Sequence, residues 1–285
     1  MPIPYKIHKT NQQWKLMTTL ISWVAVDQRQ PSAIYLASDS RFTWPNKAQW
    51  DVGKKLYAST KYPEIFGFCG DVLFPAQILD KLCNKIDFEH VFSNEISFEN
   101  KLEFVREFIS QNFASYPPHA RDTFEIHYIS RSGSGMKSQF HAGTVSWSKW
   151  GDVRAEIMDL PIVSGLIQKS GTGKIPLSNW YYRWKTSDIK DTSRSVFGAF
   201  CDSLLSGEDP HSGGSPQLMG LYRVGLPKTI GVIWKGEKYI SGSPLHAHEC
   251  PAGIEWHNEL FERCDPDTLQ PKSGAQLQPR PFIIE

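Results

Sequence analysis

The alternation of two hydrophobic patterns constrains the fold of this chain more than any other feature. Stretches 75–86 and 98–113 place apolar residues three or four positions apart, which is typical of amphipathic helices. Two more helix-like stretches follow at 177–185 and 192–207. Stretches rich in β-branched and aromatic residues, which favour strands, stand before, between and after these two pairs. The predicted order is strands, two helices, strands, two helices and strands.

This order predicts a layered fold, because an amphipathic helix pair buries its apolar side by covering one face of a sheet. We expect an α+β fold, a four-layer αββα sandwich of two antiparallel sheets flanked by helix pairs. In this prediction residues 1–17 are a leader and residues 18–245 form the domain. The Pro-rich and polar residues 246–285 are a tail with one short helix over 253–264.

Composition narrows the class of protein. The 285 residues include 31 basic and 30 acidic ones, without the basic excess that nucleic-acid binders usually carry. The first 17 residues are polar and lack a signal peptide, and no run of about 18 apolar residues occurs. Five cysteines at irregular spacing indicate reduced thiols rather than a disulfide framework. We therefore expect a cytoplasmic globular protein that binds neither nucleic acid nor membrane.

Four short polar stretches are the candidates for chemistry. They are TT at 18–19, SDSR at 38–41, GKK at 53–55 and DPHSGG at 209–214. Taken singly, each is explained by turn formation or by a solvated surface. Their order and spacing along the chain are more specific than any one of them.

Together these stretches resemble the proteasome β-type subunits and the bacterial proteasome-like ring peptidases, which are N-terminal-nucleophile hydrolases. The family pattern is a Thr-Thr pair opening a strand, Asp-Ser-Arg closing the next, a Lys pair, and Gly-Phe-x-Gly. It is met at Thr18, Asp39, Lys55 and 67–70. The resemblance covers residues 18–243.

Two later motifs of the family are also present. Its Gly-Ser-Gly is matched by residues 171–173, with Thr172 in place of the serine. Its Asp-x-x-Ser-Gly-Gly is matched without change by Asp209, Ser212 and the two glycines that follow. The resemblance implies that Thr172, Asp209 and Ser212 form a hydrogen-bond network around a terminal amine.

The resemblance implies that Thr18 is the nucleophile. A threonine hydroxyl is a weak nucleophile and needs a base. If Thr18 is the first residue, its own α-amine, with a pKa of about 7.7–8.0, can be that base. Lys55 would lower the pKa of the hydroxyl and of the amine through its charge, and Asp39 would keep Lys55 charged and oriented. By resemblance, the backbone N–H of Gly70 stabilises the oxyanion.

The mechanism needs a free amine on Thr18, yet Met17 precedes it. Three routes stay open: translation begins at Met17 and this residue is removed, the leader is a propeptide removed by self-cleavage, or the leader remains on an inactive structural subunit. The intact set of Thr18, Asp39, Lys55 and the 209–212 motif argues against the third route.

The expected activity is that of a threonine peptidase that hydrolyses peptide bonds of unfolded polypeptide and uses no cofactor or metal. The resemblance further implies a homo-oligomeric ring and an ATPase unfoldase partner. Two alternatives remain, an N-terminal-nucleophile amidohydrolase acting on a small amide and a non-catalytic assembly subunit.

Several other features have weaker functional interpretations. The stretch 168–175 resembles a phosphate-binding loop but lacks its first Gly and its Ser or Thr after the lysine. Tail residues could bind zinc, although their spacing fits no closed four-ligand pattern; they are His246, His248, Cys250, His257 and Cys264. Residues 132–135 read as a loop tip. Asp71 adds negative charge beside the predicted cleft, and the loop 44–50 indicates a bulky pocket.

Overall fold

The structure is a computed structural model that describes residues 17–44, 48–92, 96–149, 151–246, 248–277 and 280–282. Its α-helices are α1 Leu73–Glu89, α2 Phe98–Ser115, α3 Lys174–Lys185 and α4 Ser193–Leu205. Short 3₁₀ turns cover Pro118–Ala120 and Gly135–Lys137. In chain order the strands are β1 Thr19–Asp27, β2 Gln30–Ser38, β3 Phe42–Thr43, β4 Gln49–Trp50, β5 Leu56–Ala58, β6 Glu64–Gly70, β7 Phe124–Ser132, β8 Gln139–Trp147, β9 Arg154–Met158, β10 Gly165–Gly171, β11 Gln217–Tyr222, β12 Lys228–Trp234, β13 Glu237–Ile240, β14 Ser243–Pro244, β15 Glu255–His257 and β16 Arg263–Cys264.

The strands form two large sheets. The first has the order β10-β1-β2-β11-β12-β13-β14, with β15 and β16 attached at β12. All its pairs are antiparallel except β12 with β15. The second sheet has the order β5-β6-β7-β8-β9 and is antiparallel throughout. Strands β3 and β4 form a separate short hairpin.

Three clusters of buried apolar side chains hold the elements together. One joins α1 and α2 to the second sheet and includes Ile78, Leu82, Val105, Ile109, Phe66, Phe68 and Tyr128. A second joins the two sheets and includes Leu20, Leu36, Met219, Ile65, Ile129 and Phe140. A third joins α3 and α4 to the first sheet and includes Leu177, Phe197, Phe200, Trp23 and Ile230. The predicted α+β fold with antiparallel sheets and helices is confirmed.

The prediction of a short helix over 253–264 is wrong. Residues Glu255–His257 and Arg263–Cys264 are strands, and the first of them runs parallel to β12. Trp256 is buried because its ring lies on the backbone of Gly231, where an added Cβ would come within 2.4 Å of the ring. The first sheet therefore extends beyond residue 245, the predicted end of the domain.

Trp256→Ala should destabilise the protein by about 3–5 kcal/mol, because it empties a buried aromatic site against the sheet. Urea unfolding of the variant and of the wild type measures this loss. Tyr182→Ala is the matched control, since Tyr182 is 71% exposed on α3, and its effect should stay within about 0.5 kcal/mol. Equal, small losses in both variants would contradict the packing of the tail on β12.

None of the helices in the described part of the chain combines the length and the apolar character that a bilayer crossing requires.

Candidate active site

The first three predicted site residues meet at strand ends. Thr18 directly precedes β1, Asp39 directly follows β2, and the antiparallel pairing of Leu20 with Ser38 brings these two ends together. Lys55 directly precedes β5 in the second sheet. All three side chains are buried, so their contacts form in a site from which water is largely excluded.

The ammonium of Lys55 is the centre of this group. Its Nζ donates to Oγ1 of Thr18 at 2.7 Å, to Oδ1 of Asp39 at 2.8 Å and to the carbonyl oxygen of Arg41 at 2.6 Å. An ammonium has three N–H donors, so these acceptors use all of them. Burial lowers the pKa of Lys55, and the charge of Asp39 opposes that shift. A charged Lys55 in this position can stabilise negative charge on the Thr18 oxygen.

Backbone donors fix the carboxylate of Asp39. The N–H of Thr19 donates to Oδ1 at 3.1 Å, and the N–H of Gly213 donates to Oδ2 at 2.9 Å. The N–H of Arg41 also donates to Oδ2, at 3.2 Å. Because charge-assisted bonds of this kind orient a carboxylate strongly, Asp39 is held facing Lys55.

The other predicted residues form a second hydrogen-bonded group. Thr172 donates from Oγ1 to Oδ2 of Asp209 at 2.6 Å, and Ser212 donates from Oγ to the same oxygen at 2.7 Å. Since the Ser212 proton is used in this way, Thr19 is the donor in the 2.7 Å contact between its Oγ1 and Ser212 Oγ. The structure thus brings Thr172, Asp209 and Ser212 together and connects them to the residue after Thr18.

Backbone N–H groups contact the peptide bonds on both sides of Thr18. The N–H of Gly70 points at the carbonyl oxygen of Met17 across 3.5 Å, and the N–H of Gly173 donates to the carbonyl oxygen of Thr18 at 3.3 Å. Thr18 has a φ of 136°, a region that β-branched residues rarely adopt. Such a conformation costs about 1–3 kcal/mol and persists only where surrounding contacts impose it.

Two contributors to the site were missed in the sequence. Thr19 supplies both its N–H and its hydroxyl to the networks described above. The buried side chain of Gln217 accepts from the N–H of Lys55 at 3.0 Å and donates to the carbonyl oxygens of Asp39 and Gly53 at 3.1 and 2.8 Å. A single Gln at the start of a strand gives no sequence signal for this role, because its partners come from distant segments.

Arg41 links the two loops that carry the site. Its guanidinium makes a bidentate pair with Asp51 at 2.7 and 2.8 Å and donates to the carbonyl oxygen of Pro210 at 3.2 Å. The hydrogen bonds from Arg41 lower the pKa of Asp51, which keeps this partly exposed pair charged. The loop after β2 and the loop 209–214 are therefore fixed relative to each other.

Two cavities adjoin the site. One, of about 380 Å³, is lined by Met17, Phe42, Thr43, Trp44, Gly70, Asp71, Val72, Leu73, Asp122 and Thr123. The other, of about 540 Å³, lies beside the Asp209 group and is lined by Gly171, Thr172, Lys174, Ile175, Asp209, Pro210 and His211. Both have the size of small-ligand sites.

The remaining sequence motifs lie elsewhere. Lys169 and Gly171 belong to strand β10, which the sequence did not predict, and Lys174 begins α3. Nε2 of His257 lies 2.8 Å from Oε1 of Glu255 and its Nδ1 lies 3.2 Å from the carbonyl oxygen of Phe261, and both oxygens are acceptors. Within the described ranges, no three His, Cys, Asp or Glu side chains are grouped to hold a metal ion.

No protein-family model matches the chain. No curated protein matches it either. The matching solved structures include eukaryotic HslV from Trypanosoma brucei, at 16% identity and a TM-score of 0.45, over 71% of this chain and 99% of that one. They also include Anbu, an ancestral beta-subunit from Yersinia bercovieri, at 12% identity and a TM-score of 0.49, over 74% of this chain and 86% of that one.

Both matches are proteasome-like, the group that the sequence motifs indicated. Their TM-scores lie below 0.5, and the identities are low. The assignments of fold and site therefore rest on the sheets, helices and contacts of this chain.

Gly173→Ala should lower activity about 10-fold or more without unfolding the protein. An added Cβ would lie 1.8 Å from Oγ1 of Thr19 and 3.0 Å from Oγ of Ser212, so the network must shift. The φ of Gly173 is −72°, which alanine adopts freely. The activity of this variant on peptides, the substrates expected from the sequence, is compared with that of Gly151→Ala, where an added Cβ meets nothing closer than 3.9 Å. Equal activities would contradict a role for the Thr19–Ser212 contact.

Proposed function

We propose that this chain is a threonine-type peptidase in which Thr18 attacks the peptide bond after exposure of its α-amine. The observation that carries the proposal is the buried contact of 2.7 Å between Lys55 Nζ and Thr18 Oγ1, with Asp39 holding the same ammonium. A charged donor beside a hydroxyl lowers the pKa of that hydroxyl, which is the activation that a threonine nucleophile needs.

In the proposed mechanism the free amine of Thr18 takes the proton from its own Oγ1. The oxygen then attacks the carbonyl carbon of the substrate, and the developing oxyanion accepts a hydrogen bond from the N–H of Gly70. The ammonium of Thr18 returns the proton to the departing amine, which leaves an ester on Oγ1. Water, activated by the same amine, hydrolyses this ester and restores the hydroxyl.

We propose that Thr172, Asp209 and Ser212 position the amine. The hydrogen bond from Ser212 to Asp209 and the contact of Ser212 with Thr19 support this role, because Thr19 directly follows the reacting residue. A carboxylate in this group also favours the protonated amine that forms during attack. The amine would thus be both oriented and electrostatically supported.

The proposed architecture is a four-layer αββα sandwich of the N-terminal-nucleophile type. The three apolar clusters support it, since they join helices to sheet, sheet to sheet, and sheet to helices in turn. We propose residues 18–245 as the catalytic domain and residues 1–17 as a leader. Part of the tail 246–285 would then stabilise the first sheet through β15.

The proposed mechanism requires that the leader, residues 1–17, is no longer attached to Thr18. With Met17 attached, the nitrogen of Thr18 is an amide and cannot serve as a base. The contact of Gly70 with the Met17 carbonyl and the positive φ of Thr18 support cleavage at this bond, and a start at Met17 would give the same product. A chain that keeps its leader would be the non-catalytic subunit.

By resemblance we propose a polypeptide substrate, a homo-oligomeric ring, an ATPase unfoldase as partner and a cytoplasmic location. The competing proposal is hydrolysis of a small amide. The polypeptide substrate is favoured by the presence of two cavities, one lined by Met17 and Gly70 and the other by Thr172 and Asp209.

A covalent probe tests the proposed function. A chain that begins at Thr18 is incubated with an uncharged peptide that carries an electrophile at its C-terminus, and the labelled residue is identified by mass spectrometry. We expect one label per chain, on Thr18, and none on Thr18→Ala. Fluorogenic peptides are assayed alongside small aryl amides. Absence of label would contradict both enzyme proposals, and turnover of small amides alone would favour the amidohydrolase.

A further inference from the structure

The cavity at Met17 has a defined place in the proposed reaction. Met17 lines it, and the Met17 carbonyl oxygen is the one that faces the N–H of Gly70. A substrate residue whose carbonyl carbon is attacked by Thr18 must place its carbonyl oxygen at the same donor. Its side chain therefore enters the cavity that Met17 lines, and the walls of this cavity select the residue before the cut bond.

The walls of this cavity combine apolar surface with two carboxylates. The apolar part consists of the side chains of Phe42, Trp44, Val72 and Leu73. The carboxylates are those of Asp71, which directly follows Gly70, and Asp122. No basic side chain is among the described residues that line it. The cavity thus suits a long aliphatic group that ends in a positive charge, because such a side chain keeps its stem on apolar surface.

One oxygen of Asp71 has an evident structural role and the other does not. Its Oδ1 accepts from the N–H of Leu73 at 3.0 Å, at the start of α1. Its Oδ2 is buried without a hydrogen-bond partner among the described residues. An unpartnered buried carboxylate oxygen is costly, so a donor from a bound substrate would relieve that cost.

We propose that this cavity selects a lysine or arginine immediately before the cleaved bond, with Asp71 as the residue that determines this specificity. The inference rests on the proposed function, since it assigns a substrate class to the same site. The stem of the substrate side chain packs on Phe42 and Leu73. Its charged group pairs with the carboxylate of Asp71, which lines the cavity, and lies near Trp44, whose ring face attracts cations.

Other side chains fit this cavity less well. A leucine or methionine covers the apolar wall but leaves Oδ2 of Asp71 desolvated and unpartnered. A glutamate places a third carboxylate beside Asp71 and Asp122. Specificity for a cation therefore follows from a penalty on the alternatives as well as from a favourable contact.

The test measures the ratio of kcat/KM for two fluorogenic peptides that differ only in having Arg or Leu before the cut bond. We expect the wild type, beginning at Thr18, to prefer Arg, and Asp71→Asn to lower the Arg:Leu ratio about 10- to 100-fold. Asparagine keeps the Oδ1 acceptor for Leu73, so the start of α1 is preserved. Asp188→Asn, an exposed carboxylate between α3 and α4, is the charge-matched control and should leave the ratio unchanged.

The pH dependence of the same ratio is a second measurement. Burial, with the charge of Asp122 adding to it, raises the pKa of Asp71 to about 6. Burial, with the charge of Asp71 adding to it, raises the pKa of Tyr116. Burial also raises the pKa of Asp122, and the charge of Lys149 opposes that shift. Because Asp71 is neutral below its pKa, the Arg:Leu ratio should fall as the pH drops through about 6 in the wild type. It should stay low and flat in Asp71→Asn.

The outcomes separate this inference from the proposed function. If the uncharged electrophilic peptide labels Thr18 but the wild type does not prefer Arg, or Asp71→Asn keeps the preference, the specificity inference is overturned and the peptidase stands. If no label appears on Thr18, the proposed function fails and the inference fails with it.

Discussion

In a chain that begins at residue 18, Thr18→Ala should lower peptide hydrolysis by about three orders of magnitude or more. The substitution removes the oxygen that forms the ester, whereas the cavities and the donor at Gly70 remain and can support only residual catalysis. Initial rates on a fluorogenic peptide, at equal concentrations of folded protein, measure the loss.

Thr18→Ser is the matched control for this prediction. Serine keeps the hydroxyl that accepts from Lys55 and should retain a readily measurable activity. Thermal melting of both variants checks that each remains folded. An alanine variant that folds and retains most of the wild-type rate would show that another residue is the nucleophile.

Lys55→Met should lower kcat by about two to three orders of magnitude, because it removes the charge beside the attacking oxygen. The pH–rate profile should also move. Loss of a nearby positive charge raises the pKa of the α-amine of Thr18. Since the amine must be unprotonated to act as a base, the rising limb of the profile shifts to higher pH.

The same variant should be less stable by about 3–5 kcal/mol, because the buried carboxylate of Asp39 is left without its cation. Combining Lys55→Met with Asp39→Asn removes that charge and should recover part of the stability but none of the activity. Lys54→Met is the control, since the neighbouring Lys54 is exposed and lies over the ring of Tyr57. Equal activities of Lys54→Met and Lys55→Met would contradict the role of Lys55.

The resemblance implied that Thr18, Asp39 and Lys55 meet, and the positions of Thr18 and Asp39 at the ends of two paired strands account for part of it. Where neighbouring antiparallel strands are recognised, the end of one strand must lie beside the start of the next. The contact of Asp39 with the start of β1 follows from this rule. The distances between the side chains do not, because they depend on how the second sheet packs on the first.

The local pattern of strand β10 is weak, because its sequence, GLIQKSG, alternates little between apolar and polar residues. It is an outer strand of the first sheet, and four of its seven residues are half-buried, so both apolar and polar side chains are tolerated. Its last residues also resemble a phosphate-binding loop. Local pattern alone cannot separate these two interpretations.

The predicted helix over 253–264 is wrong for a related reason. Ile254 and Phe261 lie seven positions apart, and Trp256 and Leu260 four, which favours a helix. Residues 255–257 instead pair in parallel with Ile230–Val232 of β12. Gly231 favours the strand over the helix, because the absence of a side chain at this position leaves room for the ring of Trp256. Tertiary contact overrides the local preference here.

Buried polar partners could not be predicted at all. Gln217 and Asp71 are ordinary polar residues in the sequence, and their significance comes from what lies opposite them. Gln217 bonds to segments about 160 or more residues away, as the separations of 162 to 178 positions show. That Oδ2 of Asp71 lacks a hydrogen-bond partner, and that Asp71 lines the cavity at Met17, can be recognised only from the folded structure.

The central claim is that Thr18 works with a free α-amine. Mass spectrometry of the N-terminus of the protein, isolated from the cells that make it, tests this most directly. The account predicts that the chain begins at Thr18, with the bond to Met17 absent. A population in which every chain still carries Met17 on an intact bond to Thr18 would contradict it.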